Sequence, residues 1–330
     1  MKAKSKRFGW GVVLVAFLIL GPMAMGANTE QLKFAHTMSP TDTMHQAVLK
    51  FAELVKNKTG GALEIAVYPA GQLGNDPQIL QAVRLESIDI VMTGIPWHAS
   101  FAPFINVLDL PYLFRDYNHA YHVLDGEIGR ELLKQLEPLG IKGLGTMELG
   151  FRNLTNSKRS VKEPKDVEGL KLRTTGNPYH IAAWKLLGTI PTPMPWPEVY
   201  MALKTGTVDG QENPLTVIHA AKLFEVQKYL SLTMHAYSVS GVDMNLKKFQ
   251  SLTHSQQNIL IESLYEAVVY HRSLNRSLEE SMLKEMEQKG MTIIANPDKE
   301  AFAKIVRKAV QEEYAKQFGW ETIEKINKAK

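Results

Sequence analysis

Three strand-like stretches separated by two helical stretches, near the start of the chain, constrain its fold more than any other feature. Residues 31–36 and 63–68 alternate apolar and polar side chains, and residues 88–93 form a third strand. Residues 41–58 place apolar side chains at helical spacing, and Pro77 occupies the first position of a second helix. This order predicts parallel βαβ units in an α/β fold, whose ligands bind beyond the carboxyl ends of the strands.

The residues that follow these strands are therefore candidates for a binding site, because parallel strands end at the same edge of a sheet. Asp76 ends the loop after the second strand, where its carboxylate can accept a hydroxyl hydrogen bond from a ligand or cap the following helix. The other candidates lie at or just beyond the ends of the first and third strands: His36, Thr37, Met38, Thr93 and Trp97.

The length of the chain, 330 residues with 45% hydrophobic and 22% charged, is sufficient for two globular domains. The N-terminus combines four basic residues within positions 2–7 with an apolar run at 11–20, followed by small residues. This pattern predicts a cleaved secretory signal peptide over residues 1–26, because the apolar run is short for a bilayer span. An uncleaved membrane anchor is the alternative interpretation.

Charge and cysteine content exclude several functions. Cleavage of the predicted leader removes four of the 38 basic residues and no acidic residue, which leaves 34 basic and 34 acidic residues. A neutral mature protein gives no support for nucleic-acid binding. The absence of cysteine excludes disulfides and cysteine-ligated metals. Phosphate-loop, zinc-protease and nucleophile-elbow motifs are absent and the histidines lack metal spacing, so no cofactor and no metal is predicted.

The most informative stretch, residues 150–214, contains side chains suited to an organic anion. Arg152 and Arg173 lie beside short strand-like runs, and a planar guanidinium can hold a carboxylate through two parallel N–H bonds. Trp196 lies in a proline-rich turn and offers a flat aromatic wall, while Asn213 follows a predicted strand and offers amide donors. These residue types favour a site for a small organic acid.

Five motifs occur in order within this stretch. They are G-x-R-x-x-T-N at 150–156, G-L-K-L-R at 169–173, P-T-P-M at 191–194, E-V-Y-x-A-L at 198–203 and D-G-Q-E-N-P at 209–214. With them the chain resembles, from about Gln31 to its C-terminus, the substrate-binding proteins of tripartite ATP-independent periplasmic (TRAP) transporters of the DctP type.

The resemblance implies a role for each residue of the motifs. It implies that Arg173 forms a salt bridge with the ligand carboxylate and that Arg152 gives a second contact. It also places Trp196 at the family's usual aromatic position. Asn213 either contacts a ligand oxygen or caps the following helix.

The resemblance also implies a two-domain, periplasmic-binding-protein-like fold, with the ligand between the domains and chain segments that cross the hinge near 149–150 and 238–240. A helix that starts at a capping box on Thr253 and runs to about Lys289 would be about 54 Å long, and it fits the long helix that connects both domains in that family. A coiled-coil dimer is the alternative, and a monomer is expected. Domain I is assigned to residues 30–149 plus 239–278, and domain II to residues 150–238 plus 279–330. Further elements are predicted at 117–139 and 216–228 (helices) and at 207–211 (strand).

The ligand expected from the sequence is an aromatic, indole-type or other apolar-bodied monocarboxylate. Trp97 departs from the resembled family, whose binders of acidic sugars often place a basic or polar residue near this position. Trp97 and Trp196 would instead offer two indole faces to the body of the ligand. Uronic or aldonic sugar acids and C4-dicarboxylates are the alternatives.

The function implied by the resemblance is capture of this acid in the periplasm and its delivery to the small and large membrane subunits of a TRAP transporter, without enzymatic activity. Two other classes stay open at this stage. One is a binding protein that delivers its ligand to a signalling receptor. The other is an exported enzyme on the same fold, with Glu148 and Glu212 as an acid and base pair.

Overall fold

The computed structural model describes residues 1, 2, 4 and 29–330. The predicted signal peptide therefore lies, apart from three residues, outside the described part of the chain. No helix within the described ranges is long and apolar enough to cross a membrane.

The first part of the chain forms the predicted parallel βαβ units. Strands β1 (Glu30–His36), β2 (Leu63–Tyr68) and β3 (Ile90–Gly94) pair in parallel in the order β2-β1-β3. Helix α1 (Thr43–Lys58) connects β1 to β2, and α2 (Asp76–Arg84) connects β2 to β3. The side chain of Asn75 caps α2 in a capping box with Gln78, so Asp76 is the first residue of the helix rather than its cap.

The predicted helix at 117–139 is wrong, because the structure contains two helices there. Helix α3 (Tyr117–Asp125) ends and α4 (Glu127–Lys134) begins at Gly126, whose ψ of −166° is extended. A Cβ atom at this position would lie 2.4 Å from the carbonyl oxygen of His122, so only glycine fits the break.

One long strand joins the first sheet to a second one. Strand β4 (Ile141–Asn156) continues through both sheets, and its pairing with the antiparallel strand at 237–245 shifts register between Glu148 and Gly150. Gly150 has a φ of +111°, a conformation that favours glycine. The chain therefore crosses between the sheets at the predicted position.

The second sheet continues from the end of β4. Its other strands are β5 (Lys171–Thr174), β6 (Ile190–Pro193), β7 (Gly210–Pro214), β8 (Tyr229–Ser231) and β10 (Thr292–Ile294). Strand β9 (Tyr237–Asn245) belongs to the first sheet. The main order is β2-β1-β3-β9-β4-β7-β5-β6, with β8 paired to β4 and β10. The predicted strand at 207–211 begins later, at Gly210, because Gly206 and its neighbours form a turn with φ of +73°. Asn213 therefore lies within a strand rather than after one.

Helices cover the second sheet and the C-terminal part of the chain. They are α5 (Pro178–Leu186), α6 (Val199–Lys204), α7 (Leu215–Ala220), α8 (Leu246–Ser251), α9 (His254–Gln288), α10 (Lys299–Phe318) and α11 (Glu321–Lys328). The predicted helix at 216–228 was too long, because Lys222 adopts a left-handed φ of +51° just after α7.

Helix α9 connects both halves of the molecule, as expected. The predicted capping box on Thr253 is present, and the helix is 35 residues long. Leu260 and Leu264 pack in the core that contains β1 and α1. Met282 and Met286 pack in the core beneath α6, α7 and β8. One helix thus contributes to two hydrophobic cores, and the two-domain α/β fold is confirmed.

Candidate functional site

A small cavity of about 40 Å³ lies where the ends of β1, β3 and β5 meet strands β4 and β9. It brings together seven of the ten candidate residues: Met38, Asp76, Trp97, Arg152, Arg173, Trp196 and Asn213. Its remaining lining residues were not predicted as site residues: Gly94, Pro96, Leu149, Thr175, Val217 and Ser240. His36, Thr37 and Thr93 are not part of the lining.

Arg173 is a buried cation without a carboxylate partner. It belongs to β5, is 2% exposed, and donates from Nε (3.0 Å) and Nη2 (2.6 Å) to the carbonyl oxygen of Met194. Within the described part of the chain it forms no salt bridge. Burial lowers the pKa of its guanidinium to about 10, although the nearby carboxylates of Glu212 and Asp76 act in the opposite direction. A ligand carboxylate would supply the missing negative charge.

Arg152, in contrast, already has a carboxylate partner. Strands β4 and β7 pair here, and Arg152 donates from Nη2 to Oε1 of Glu212 at 2.9 Å and from Nε to Oε2 of the same carboxylate. Burial alone would raise the pKa of Glu212, but Arg152 and a hydrogen bond from His235 hold it well below its usual range. The positive charge of Arg152 is therefore balanced within the protein, and the residue remains a donor beside Arg173.

Asn213 connects this ion pair to its neighbours. Its Oδ1 accepts from Nη2 of Arg152 at 3.1 Å, and its Nδ2 donates to Oε1 of Gln211 at 2.6 Å. Helix α7 starts after Pro214 without a side-chain cap, so the alternative capping role of Asn213 is not seen. One amide hydrogen of Asn213 stays available at the cavity wall.

Asp76 forms the acidic part of the wall. Its Oδ1 accepts from Oγ1 of Thr37 at 3.0 Å, whereas its Oδ2 is buried and has no hydrogen-bond partner. Burial raises the pKa of Asp76 to about 6. Thr37 therefore acts on the site through Asp76 and not as part of the lining. An unpartnered buried acceptor is costly unless a donor, such as a ligand hydroxyl, reaches it.

His36 and Thr93 lie behind the wall. His36 is fully buried, and its Nε2 is 3.1 Å from Nδ1 of His45. Burial lowers the pKa of His36 to about 3, so its ring is neutral. Thr93 pairs with Gly241 of β9, and its hydroxyl is buried without a partner. Thr93 faces away from the cavity because adjacent residues of a strand face opposite sides, and its neighbour Gly94 lines the cavity.

The two tryptophans lie on different elements. Trp97 belongs to a 3₁₀ turn after β3 and approaches Gly176 so closely that a Cβ atom there would be 3.3 Å from its ring. Trp196 lies 5.8 Å from the guanidinium carbon of Arg173, measured to the ring centroid. Trp97 thus contacts the chain that follows β5, and Trp196 lies beside the guanidinium of Arg173.

Glu148 and Glu212 do not form an acid and base pair. Glu148 accepts from Tyr121, Tyr237 and Arg276, whereas Glu212 is bound by Arg152 and His235. Each carboxylate is thus neutralised within its own network and neither lines the cavity. Across the described ranges no cluster of three or more metal-ligating side chains occurs.

The sequence matches the profile of Bacterial extracellular solute-binding protein, family 7, named DctP, over residues 34–317. The chain belongs to the DctP family. DctP-family proteins bind solutes outside the cytoplasm for transport. The predicted resemblance is therefore confirmed.

Characterised DctP-family relatives bind small organic acids. The 2,3-diketo-L-gulonate-binding periplasmic protein YiaO of Escherichia coli K12 is 40% identical over 92% of this chain and 94% of its own. A TRAP periplasmic solute-binding protein of Polaromonas sp. JS666, solved with D-erythronate, is 35% identical with a TM-score of 0.88, covering 91% of this chain and 99% of its own. One from Sulfurospirillum deleyianum, solved with succinate, is 30% identical with a TM-score of 0.86 and covers 91% and 99%.

Proposed function

We propose that the protein captures a small hydroxylated organic acid in the cavity around Arg173 and delivers it to the membrane subunits of a TRAP transporter. The observation that carries the proposal is the buried guanidinium of Arg173, which has a free donor side and no anionic partner in the described chain. Periplasmic location and the two permease subunits are what membership of the DctP family implies.

A hydroxyl group on the ligand is supported by the acidic wall. Oδ2 of Asp76 lacks a donor, and two hydroxyl-bearing residues, Ser240 and Thr175, also line the cavity. An aldonic acid would place its carboxylate on Arg173 and a hydroxyl on Asp76. The ligands named for two relatives, 2,3-diketo-L-gulonate and D-erythronate, are hydroxylated sugar acids of this kind.

The aromatic acid expected from Trp97 and Trp196 stays a prediction. Both rings line the cavity, which favours it. A cavity of about 40 Å³ is smaller than either kind of acid, so the walls must move apart for both. We place the hydroxy acid first because the unpartnered Oδ2 of Asp76 can accept from a ligand hydroxyl, which an aromatic body lacks.

Calorimetry with D-erythronate, succinate and indole-3-acetate tests these ligand classes directly. We expect D-erythronate to bind most tightly, and tight binding of indole-3-acetate alone would reverse the order. An Arg173→Ala variant should lose about 2–5 kcal/mol of binding free energy, because it removes one partner of a desolvated charge pair. Arg130→Ala, an exposed arginine on α4 outside the cavity, is the matched control. Binding by Arg173→Ala within twofold of wild type would contradict the site.

We further propose that the ligand draws two domains together. Domain I comprises residues 30–149 plus 239–278, and domain II comprises residues 150–238 plus 279–330. Asp76 and Trp97 belong to the first and Arg173 to the second, so a ligand between them stabilises the closed arrangement.

A further inference from the structure

A second pocket, with a volume of about 560 Å³, shares no lining residue with the cavity around Arg173. It lies beside the N-terminal half of α10, and its volume falls within the usual range of small-molecule sites, roughly 300–1,000 Å³. Its floor is aromatic, because Phe114 and Phe151 are each 5% exposed and pack against Tyr237 at centroid distances of 5.5 and 5.1 Å.

Three cations line this pocket without forming a salt bridge to any described residue: Arg115, Lys299 and Arg307. Arg115 donates to the carbonyl oxygens of Asn327 (3.0 Å) and Ala329 (2.6 Å). These acceptors are neutral and Arg115 is exposed, so its charge is open to an anion from solution.

The other two cations also lack a carboxylate partner among the described residues; Lys299 is partly buried and Arg307 is exposed to solvent. Nζ of Lys299 has its contact with Sδ of Met234 at 3.1 Å, and a thioether is a weak acceptor. The guanidinium carbon of Arg307 lies 5.8 Å from the ring centroid of Tyr112. One carboxylate, that of Glu300, lines the same pocket, so the lining carries a net positive charge.

The backbone around the pocket is strained. Tyr112 has a φ of +55° and Met234 a φ of +44°, a left-handed region that bulky side chains rarely adopt. Such conformations are unfavourable and concentrate at functional sites. Five non-glycine residues of the described chain have positive φ, and two of them line this one pocket. A hydrogen bond of 2.8 Å from the backbone N–H of Tyr112 to the carbonyl of His235 holds the two strained segments together.

We propose that this pocket is a second binding site, for a small organic anion with an aromatic or branched apolar body. The acid group, a carboxylate or a phosphate, lies among Arg115, Lys299 and Arg307. The apolar body lies on Phe114 and Phe151. The site is independent of the cavity around Arg173 and goes beyond the proposed transport function.

The test uses 4-fluorobenzoate as probe, observed by ¹⁹F NMR with the intact mature protein. Line broadening should persist in an Arg173→Gln variant, which disables the first cavity. The double variant Lys299→Gln/Arg307→Gln should weaken binding at least tenfold. Lys308→Gln, the next residue on α10 and outside the pocket lining, is the matched control and should bind as wild type does. Thermal melting of each variant verifies that it is folded.

Inorganic phosphate distinguishes recognition of an acid group from general charge screening. Phosphate should displace the probe at concentrations where sodium chloride of equal ionic strength does not. Equal displacement by both salts would overturn the proposal. So would loss of broadening in Arg173→Gln, broadening that survives in the double variant, or no broadening in wild type at millimolar probe.

Discussion

Arg173 and Arg152 show how two similar residues can have different electrostatic roles. Both were predicted as ligand contacts from their motifs, and both line the cavity. The sequence could not show that Glu212 neutralises Arg152, because that pairing depends on the register of β4 against β7. What distinguishes Arg173 is the neutral carbonyl of Met194 as its partner. The unbalanced charge makes Arg173 the anchor for an acid.

The carboxylate of Asp76 makes the ligand-free protein less stable at neutral pH. Its pKa in the folded state is about 6, raised by burial from 3.8, so the folded state binds the proton more tightly than the unfolded state does. This cost is absent below about pH 3.8, grows as pH rises and is complete above about pH 6.

Asp76→Asn should therefore stabilise the ligand-free protein by about 1–3 kcal/mol at pH 7.5, with a smaller gain at pH 4.5. The same variant should bind hydroxy acids more weakly. Urea unfolding and calorimetry measure the two effects, and Glu262→Gln, at an exposed glutamate of α9, serves as control. A variant that is less stable at pH 7.5 would contradict the role of burial.

Glu212→Gln should have the opposite effect on stability. The change leaves the guanidinium of Arg152 buried without its counter-charge, which typically costs about 3–5 kcal/mol. Because the pKa of Glu212 is depressed in the folded state, its stabilising effect is present at neutral pH and is lost as pH falls below the unfolded pKa. The difference in unfolding free energy between wild type and variant at pH 7.5 and pH 3.5 checks both statements. A constant difference would rule out the charge pair as its cause.

The elements predicted from local signals match the structure well. Strands β1 to β3 and helices α1, α2 and α9 follow from side-chain periodicity and from caps such as Thr253. The breaks were missed where one residue changes the backbone, as at Gly126 and Lys222. The lining residues Ser240 and Thr175 were missed because their roles depend on contacts between distant segments.

The contact between Trp97 and Gly176 joins the 3₁₀ turn after β3 to the chain after β5. A methyl group at position 176 would lie 3.3 Å from the Trp97 ring, so Gly176→Ala should push the ring away and weaken acid binding at least fivefold. A Trp97→Phe/Gly176→Ala double variant should recover part of this loss, since phenylalanine is smaller. Calorimetry on the double-mutant cycle measures the coupling. Additive losses in the double variant would show that the contact does not matter for binding.

At the scale of the whole molecule, helix α9 and strand β4 join the parts of the fold that surround the cavity. Leu260 and Met286 of α9 lie in two different cores, and β4 runs through both sheets. The sequence predicted this arrangement only through its resemblance to a family, because no periodicity in a single segment indicates how sheets are joined. The domain boundaries within β4, β9 and α9 stay a prediction.

Closure of these domains by ligand should be visible in solution. We expect D-erythronate to reduce the radius of gyration measured by small-angle X-ray scattering, and Arg173→Ala to abolish the change at the same ligand concentration. A radius that stays constant while calorimetry reports binding would mean that the protein is closed before the ligand arrives.

Helix α9 also provides a fixed reference distance within the molecule. Glu262 and Lys284 are both exposed and lie 22 residues apart, about 33 Å along a continuous helix. Since the chain lacks native thiols, spin labels on cysteines introduced at these two positions would record a fixed spacing. A second pair of spin labels, on cysteines introduced at Lys56 of α1 and Lys204 of α6, would report the distance between the two halves of the molecule. The pair on α9 would serve as its reference.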